Sequence, residues 1–250
     1  MSFDKELWVR DSFSSKYKMP NWICPHCSKG ILQKDNESIS TYNSVETNNA
    51  AQISYNSDEL AKFNFSGYLK CNGCNERVVI SGYGIYFDER LTTQVLAVYR
   101  GKRIPVYYPT HFQPELKLFR LPNALSTQVY SLVKKSFGHL WYDLDACANK
   151  IRQALESLVI ENNATGDKLD HQIRSLTTTL GNQVTETMLA LKHIGNDGSH
   201  KGRPFERSEI LDAYCLLEDL LNMLYPDTRE QDRRAKIVQT INSIRGMKKA

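Results

Sequence analysis

The chain lacks any run approaching the roughly eighteen apolar residues that a membrane span needs. Its opening stretch, MSFDKELWVRDSF, lacks a signal-peptide pattern. The two absences predict a soluble, cytoplasmic protein with no membrane partner. Proline is missing from residues 123–203, although the chain has eight. That window is open to long helices, which an internal proline would break. Charge of one sign is also scarce, with a formal net charge of +4 over 250 residues, a weak pointer to an anionic partner. The excess gathers at the end, where residues 228–250 hold seven Lys/Arg against two acids. Cysteine is sparse too, and four of the six form two Cys-x-x-Cys pairs. That spacing favours a metal over cross-linking in a reducing compartment.

What is present suits a globular chain. Apolar residues make up 41% and charged residues 24%, enough for a packed core in one large domain or two small ones. Six of the eight prolines lie at or before Pro122. Beyond it, Gly138, Gly166, Gly181, Gly195 and Gly198 stand where helix ends are needed. The predicted helices are PNALSTQVYSLVKKSF, LWYDLDACANKIRQALESLVIE, DKLDHQIRSLTTTL, VTETMLALKHI and RSEILDAYCLLEDLLNMLY, followed by a basic terminal helix. The fifth repeats Ile210, Tyr214, Leu217, Leu221 and Leu224 at helical spacing.

The first half instead offers KFNFSGYLK, RVVISGYGIYF, QVLAVY, IPVYY and ELKLFRL, short segments rich in β-branched and aromatic residues. A polar stretch between residues 34 and 60 reads as a long insertion. The expected fold is α+β: a zinc-stapled β module over residues 1–121, then a helical bundle over residues 122–250.

Cys24-Pro-His-Cys27 and Cys71-Asn-Gly-Cys74 carry the clearest chemistry. Two residues between cysteines let a tight turn aim both thiolates at one ion, and two such turns complete a closed tetrahedral zinc site. The 43 residues between the pairs exceed the usual ribbon spacing, but loops lengthen at small entropic cost. A redox role needs a thioredoxin-like βαβ unit, and none follows either pair. His26 reads as a turn residue, while Cys147 and Cys215 read as small core residues on helix faces.

The order of these features (cysteine pairs, strands ending in YYP and RLP, KIRQALESL, LDHQIRSL, LKHIGNDGSH, and a Leu-rich helix ending in LY) resembles an uncharacterised bacterial family, the domain of unknown function 4145. The resemblance covers most of residues 22–226, with IRQALE and GNDGSH its most specific parts. Its helical portion is similar to the HEPN superfamily, found in toxin, RNA-processing and phage-defence systems. Catalytic HEPN proteins are metal-independent ribonucleases with an arginine followed shortly by a histidine. Such chemistry uses a cation to hold the charge developing on the phosphate and an imidazole to move protons.

Carried onto this chain, the resemblance implies His200 as the histidine and Asn196 as a polar partner. The arginine has no counterpart. Lys192 is the nearest upstream cation, with seven residues between it and His200. Arg152, one helical turn before Glu156, can supply charge from a neighbouring helix. Two readings stand. Arg152, Glu156, Lys192, His193, Asn196 and His200 form a phosphate-binding or catalytic cluster, or they form a surface ion pair, a helix stop at Gly195 and structural histidines.

Three functions remain open. The first is a HEPN-like binding or adaptor protein engaging nucleic acid (RNA favoured) or a protein partner in a bacterial defence complex or toxin–antitoxin-like system. Tyr83, Tyr86, Tyr107 and Tyr108 offer stacking surfaces for it. The second is a ribonuclease centred on His200. The third is a non-catalytic regulatory subunit without nucleic-acid contact. A homodimer is also expected, because Leu216, Leu220 and Met223 widen the apolar face of the last long helix.

Overall fold

The structure, a computed structural model, describes residues 2–14, 18–35, 37–43, 45, 62–88, 103–200, 204–226, 233–234 and 236–242. Side chains 87, 88, 103 and 195–200 lie outside that description. Period-two burial builds the first layer. In β4 (Lys62–Cys71) Phe63, Phe65, Leu69 and Cys71 are buried, while Lys62, Ser66, Tyr68 and Lys70 are exposed. β4 pairs antiparallel with β5 (Arg77–Asp88), which pairs with β6 (Arg103–Gln113). β1 (Phe13–Ser14) borders β6. β2 (Leu32–Lys34) and β3 (Ser40–Asn43) share the other edge of β4. The six strands form one antiparallel sheet.

One irregularity sets which side chains face the core. Ser81 pairs with His111 but Gly82 pairs with Pro109, so Thr110 is an extra residue in β6. This bulge restores the parity of the strand. Tyr107 and Phe112 are an odd number of positions apart, yet both are buried, opposite Gly84 and Ile80. Gly82 permits it, because a Cβ there would lie 2.2 Å from the Tyr108 carbonyl oxygen.

The helices follow the amphipathic stripes, with edited ends. α1 (Lys5–Val9) is capped by Asp4. α2 (Thr127–His139) starts after Ser126, whose hydroxyl accepts from the Val129 N–H at 3.2 Å. The expected start at Pro122 is thus displaced, since residues 122–125 form a turn. α3 (Leu144–Glu161) is capped by Asp143. The next expected helix is split at Leu176 into α4 (Leu169–Ser175) and α5 (Thr177–Leu180), ending at Gly181 with φ of 84°. α6 (Asn182–His200) continues through Gly195 and Gly198, so the expected stop at Gly195 is not the helix end. A glycine weakens a helix by only about 1 kcal/mol relative to alanine, and the packed face of Val184, Met188 and Leu191 holds the segment. α7 (Arg207–Leu224) opens with a reciprocal Glu206/Glu209 capping box. Residues 236–242 are helical as well.

Two strand expectations fare differently. QVLAVY lies outside the described residues. ELKLFRL is an irregular linker that buries Leu116, Leu118 and Phe119 without pairing in the sheet. Its alternation reflects packing between two layers, which gives the same pattern as a strand. The width of α7 is likewise used within the chain. Leu220 is buried, and Leu216 and Met223 pack against the core, so that face no longer argues for a second copy.

One continuous core joins sheet and helices. Trp141, in the turn after α2, packs against Trp22 at 5.2 Å and Phe112 at 4.5 Å between ring centroids. Arg207 lies over the Trp141 ring at 4.8 Å. Its Nε donates to the Trp8 carbonyl and its Nη1 to the Leu140 carbonyl, both at 2.9 Å. Deeper in, the Tyr214 hydroxyl donates to Ser136 Oγ at 2.9 Å, Ser136 donates to the Val133 carbonyl at 2.7 Å, and Cys147 Sγ lies 3.0 Å from the Tyr214 oxygen. Burial pushes the Cys147 thiol up to about 12, so it stays a neutral donor.

Arg207→Ala strands two carbonyls and uncovers Trp141, so it should lower unfolding stability by about 3 kcal/mol. Tyr214→Phe removes the contacts of one hydroxyl with Ser136 and Cys147 and keeps the Ser136–Val133 bond, and should cost about 1–2 kcal/mol. Urea denaturation of the two variants beside the parent chain measures the contrast.

Candidate functional site

The two cysteine pairs fold into matching turns. In the first, the Ser28 N–H donates to the Cys24 carbonyl at 2.9 Å, with Ser28 at φ 55°. In the second, the Asn75 N–H donates to the Cys71 carbonyl at 3.1 Å, with Asn75 at φ 61°. The left-handed residue after each pair turns the chain back and leaves both sulfurs on one side of the turn. Asn72 ties the turns together: its N–H donates to the Ile31 carbonyl at 3.0 Å, and its side-chain oxygen accepts from the Ile31 N–H at 2.8 Å. Among the described residues the interval between the pairs contains β2, β3 and most of β4, whereas residues 46–60 of the expected polar insertion lie outside the described residues.

The four sulfurs consequently converge. Cys24 and Cys74 Sγ are 3.8 Å apart, Cys27 and Cys71 Sγ are 3.7 Å apart, and all four lie within 4.8 Å of one another. A tetrahedral ion with ligands at the zinc–thiolate distance of about 2.3 Å spaces its sulfurs about 3.8 Å apart. The donor set and its spacing therefore fit one metal ion. Backbone N–H groups of Gly30 and Gly73 approach Cys27 and Cys71 Sγ, each at 3.3 Å. The N–H groups of Gly30 and Lys29 hold the Cys27 thiol down to about 6, whereas burial raises the Cys24 and Cys74 thiols, so the set as a whole is not held as thiolates by the protein alone. Gly30 has no room for a side chain, since a Cβ would meet Cys71 Sγ at 2.4 Å and the Gly73 nitrogen at 2.9 Å.

The helical candidates sit elsewhere, on α3 and α6. Arg152 Nε meets Glu156 Oε1 at 2.9 Å, with side chains 31% and 42% exposed, in a surface pair along α3. Lys192 Nζ meets Asp170 Oδ1 at 2.6 Å, and Arg174 Nε meets the other Asp170 oxygen at 2.8 Å. The lysine is the more enclosed partner, with its side chain 12% exposed. Lys192, then Arg174, hold the Asp170 carboxyl down to about 2. His193 is exposed. Asn196 and His200 occupy the last turns of α6, and their side chains lie outside the described set. Asp170 and Arg174 escaped the sequence reading, although their spacing of four on one helix was a usable sign.

Residues 116–243 match the model of a family described as Domain of unknown function (DUF4145). Residues 11–112 match a second, described as Domain of unknown function (DUF8608). No curated protein and no solved structure matches the chain.

Cobalt(II) added to the reduced protein should produce the visible absorption of tetrahedral thiolate coordination, saturating at one ion per chain. Gly30→Ala should weaken that binding at least tenfold, because the new methyl displaces Cys71 Sγ; unchanged affinity would contradict the shared site. A second expectation concerns Asp170. Its folded-state pKa is depressed, so its stabilising pair is fully present above the unfolded value of about 3.9. That contribution is lost as pH falls through about 2. Lys192→Met should move the carboxyl back toward its ordinary range, readable in a carboxylate NMR titration.

Proposed function

The chain belongs to the family described as Domain of unknown function (DUF4145), and from that premise we propose a zinc-stapled binding or adaptor protein with a HEPN-like bundle. It engages nucleic acid, RNA before DNA, within a bacterial phage-defence or toxin–antitoxin-like complex. The metal is zinc, held by Cys24, Cys27, Cys71 and Cys74. Four thiolates fill a tetrahedral ion, leave no position for water or substrate, and so confine the metal to holding the fold.

The observation that favours binding over cleavage is that both candidate cations are already paired with carboxylates. Lys192, the nearest upstream cation, is engaged by Asp170, and Arg152 on the neighbouring helix is engaged by Glu156. A cation already neutralised by a carboxylate stabilises a developing phosphate charge less than an uncompensated one. Lysine also lacks the planar fork that grips two phosphate oxygens. The Lys192–Asp170–Arg174 triad joins α4 to α6 and serves the bundle.

Purified protein incubated with total RNA should retain it in a mobility shift without shortening it, and His200→Ala should behave the same. Cleavage that disappears in His200→Ala would move the reading to a ribonuclease. No retained RNA under low salt would move it to a regulatory subunit that contacts only protein.

A further inference from the structure

The sheet has two faces of different chemistry. Inward positions carry Phe63, Phe65 and Phe112, and the helical half packs on that side through Trp22, Phe112 and Trp141. Outward positions carry tyrosines. The register places Tyr42, Asn64, Tyr83 and Tyr108 at one level across β3, β4, β5 and β6. Tyr42 is 62% exposed and Tyr83 is 46% exposed, and the Tyr83 and Tyr108 rings stack at 5.2 Å and 9°. At a second level Tyr68 stands opposite Val79, both exposed, with the Arg77 guanidinium 5.7 Å from the Tyr68 ring centroid. Tyr107 and Tyr86 do not belong to this face. Tyr107 is buried against Phe13, and Tyr86 packs on Phe63.

Among the described residues of the central strands, the charged side chains of the outward face are basic, while Asp11 acts on Tyr108 from the β1 side. Lys62, Lys70, Arg77 and His111 point outward, and no Asp or Glu occupies an outward position in residues 62–71, 77–85 or 106–113. Asp35 and Glu76 lie at the rim beside Arg77. The Asp35–Arg77 contact, at 3.5 Å, is an exposed pair of the kind that contributes little and yields to a competing anion.

We propose that this outward face binds single-stranded nucleic acid. The inference rests on the nucleic-acid reading above and gives it a place. Tyr42 and Tyr83 are two strands apart, about 10 Å at ordinary sheet spacing, and Asn64 lies between them. A base sandwiched between two rings needs about 7 Å at a stacking distance of about 3.4 Å. The interval therefore admits one base, with the Asn64 carboxamide under its edge. The exposed side of the Tyr83/Tyr108 stack receives a neighbouring base. Lys70 and Arg77, at the end of the face near the cysteines, meet the phosphates. Paired strands are a poorer fit, because their bases already stack on each other and present no free ring face.

The test is fluorescence anisotropy with a labelled twelve-nucleotide single-stranded RNA, its DNA counterpart and an RNA duplex, using the full chain loaded with zinc. Single strands should bind, and the duplex at least tenfold more weakly. Tyr83→Ala should weaken single-strand binding by about tenfold, whereas Tyr83→Phe should restore it, since stacking needs the ring and not the hydroxyl. Tyr142→Ala, an exposed tyrosine of the helical half, should bind like the parent. Arg77→Gln should lower the slope of log affinity against log salt by about one. Circular dichroism checks that each variant folds. If the parent binds single strands and Tyr83→Ala binds equally well, the sheet-face site is overturned while the nucleic-acid reading stands. If the parent binds no oligonucleotide, both fall. RNA bound more tightly than DNA adds recognition of the 2′-hydroxyl, and equal affinity leaves stacking and phosphate contact as the whole interaction.

Discussion

One buried guanidinium ties together three elements of the core that joins the sheet to the helices. Arg207 opens the last long helix, donates to one carbonyl at the end of α1 and another at the end of α2, and covers Trp141. Trp141 in turn touches Trp22 and Phe112 of the sheet half. Burial lowers the pKa of Arg207, and the charge of Asp11 offsets only part of that cost. The remaining compensation comes from carbonyl dipoles and an aromatic face. Both are fixed by the fold, so the charge is stable only when α1, α2 and α7 are all in place. A buried cation held by three elements, through Nε, Nη1 and the ring face while Nη2 has no hydrogen-bond partner, makes their arrangement cooperative.

The cysteine turns supply the opposite kind of constraint, local and covalently specified. Each turn is shaped by its own hydrogen bond and its left-handed residue. The two are held together by Asn72 and by the close approach of Gly30 to Cys71. A metal there fixes the ends of β2 and β4 to the segment preceding β2. It would thereby brace the end of the β4–β5 hairpin on which Lys70 and Arg77 stand. The sulfur set suits holding the amino-terminal half together, and the open aromatic face is the proposed place of contact.

The sequence disclosed the parts whose chemistry is local. Cys-x-x-Cys spacing needs no tertiary information to imply convergence, and the stripes of α3 and α7 are repeated often enough to be read directly. β1, β2 and β3 are two to four residues long, too short for period-two alternation to show, and they exist because β4 and β6 offer them edges. Lys192 was readable as a cation but not as a paired one, because its partner Asp170 lies 22 residues away across a contact between two helices. Arg207 looked like an ordinary helix-start residue, and nothing in PFERSEI announces the carbonyls it reaches. Gly195 misled for a related reason: a stop signal was inferred from residue type, while packing upstream carries α6 through it.

The bulge at Thr110 links the core to the proposed contact face. Strand parity means that a residue turned inward turns its neighbours outward. Tyr107 and Phe112 both serve the core, and Tyr108 joins Tyr83 on the open side, only because one residue is inserted between them. Were the strand paired regularly through Thr110, with no bulge, burying Phe112 would turn Tyr107 outward and Tyr108 inward. The aromatic row would lose its third ring, and the core would lose the partner that stacks on Phe13. Gly82 lets the strands approach at that point. A larger residue there would disturb the core and the outward face together, through one backbone contact.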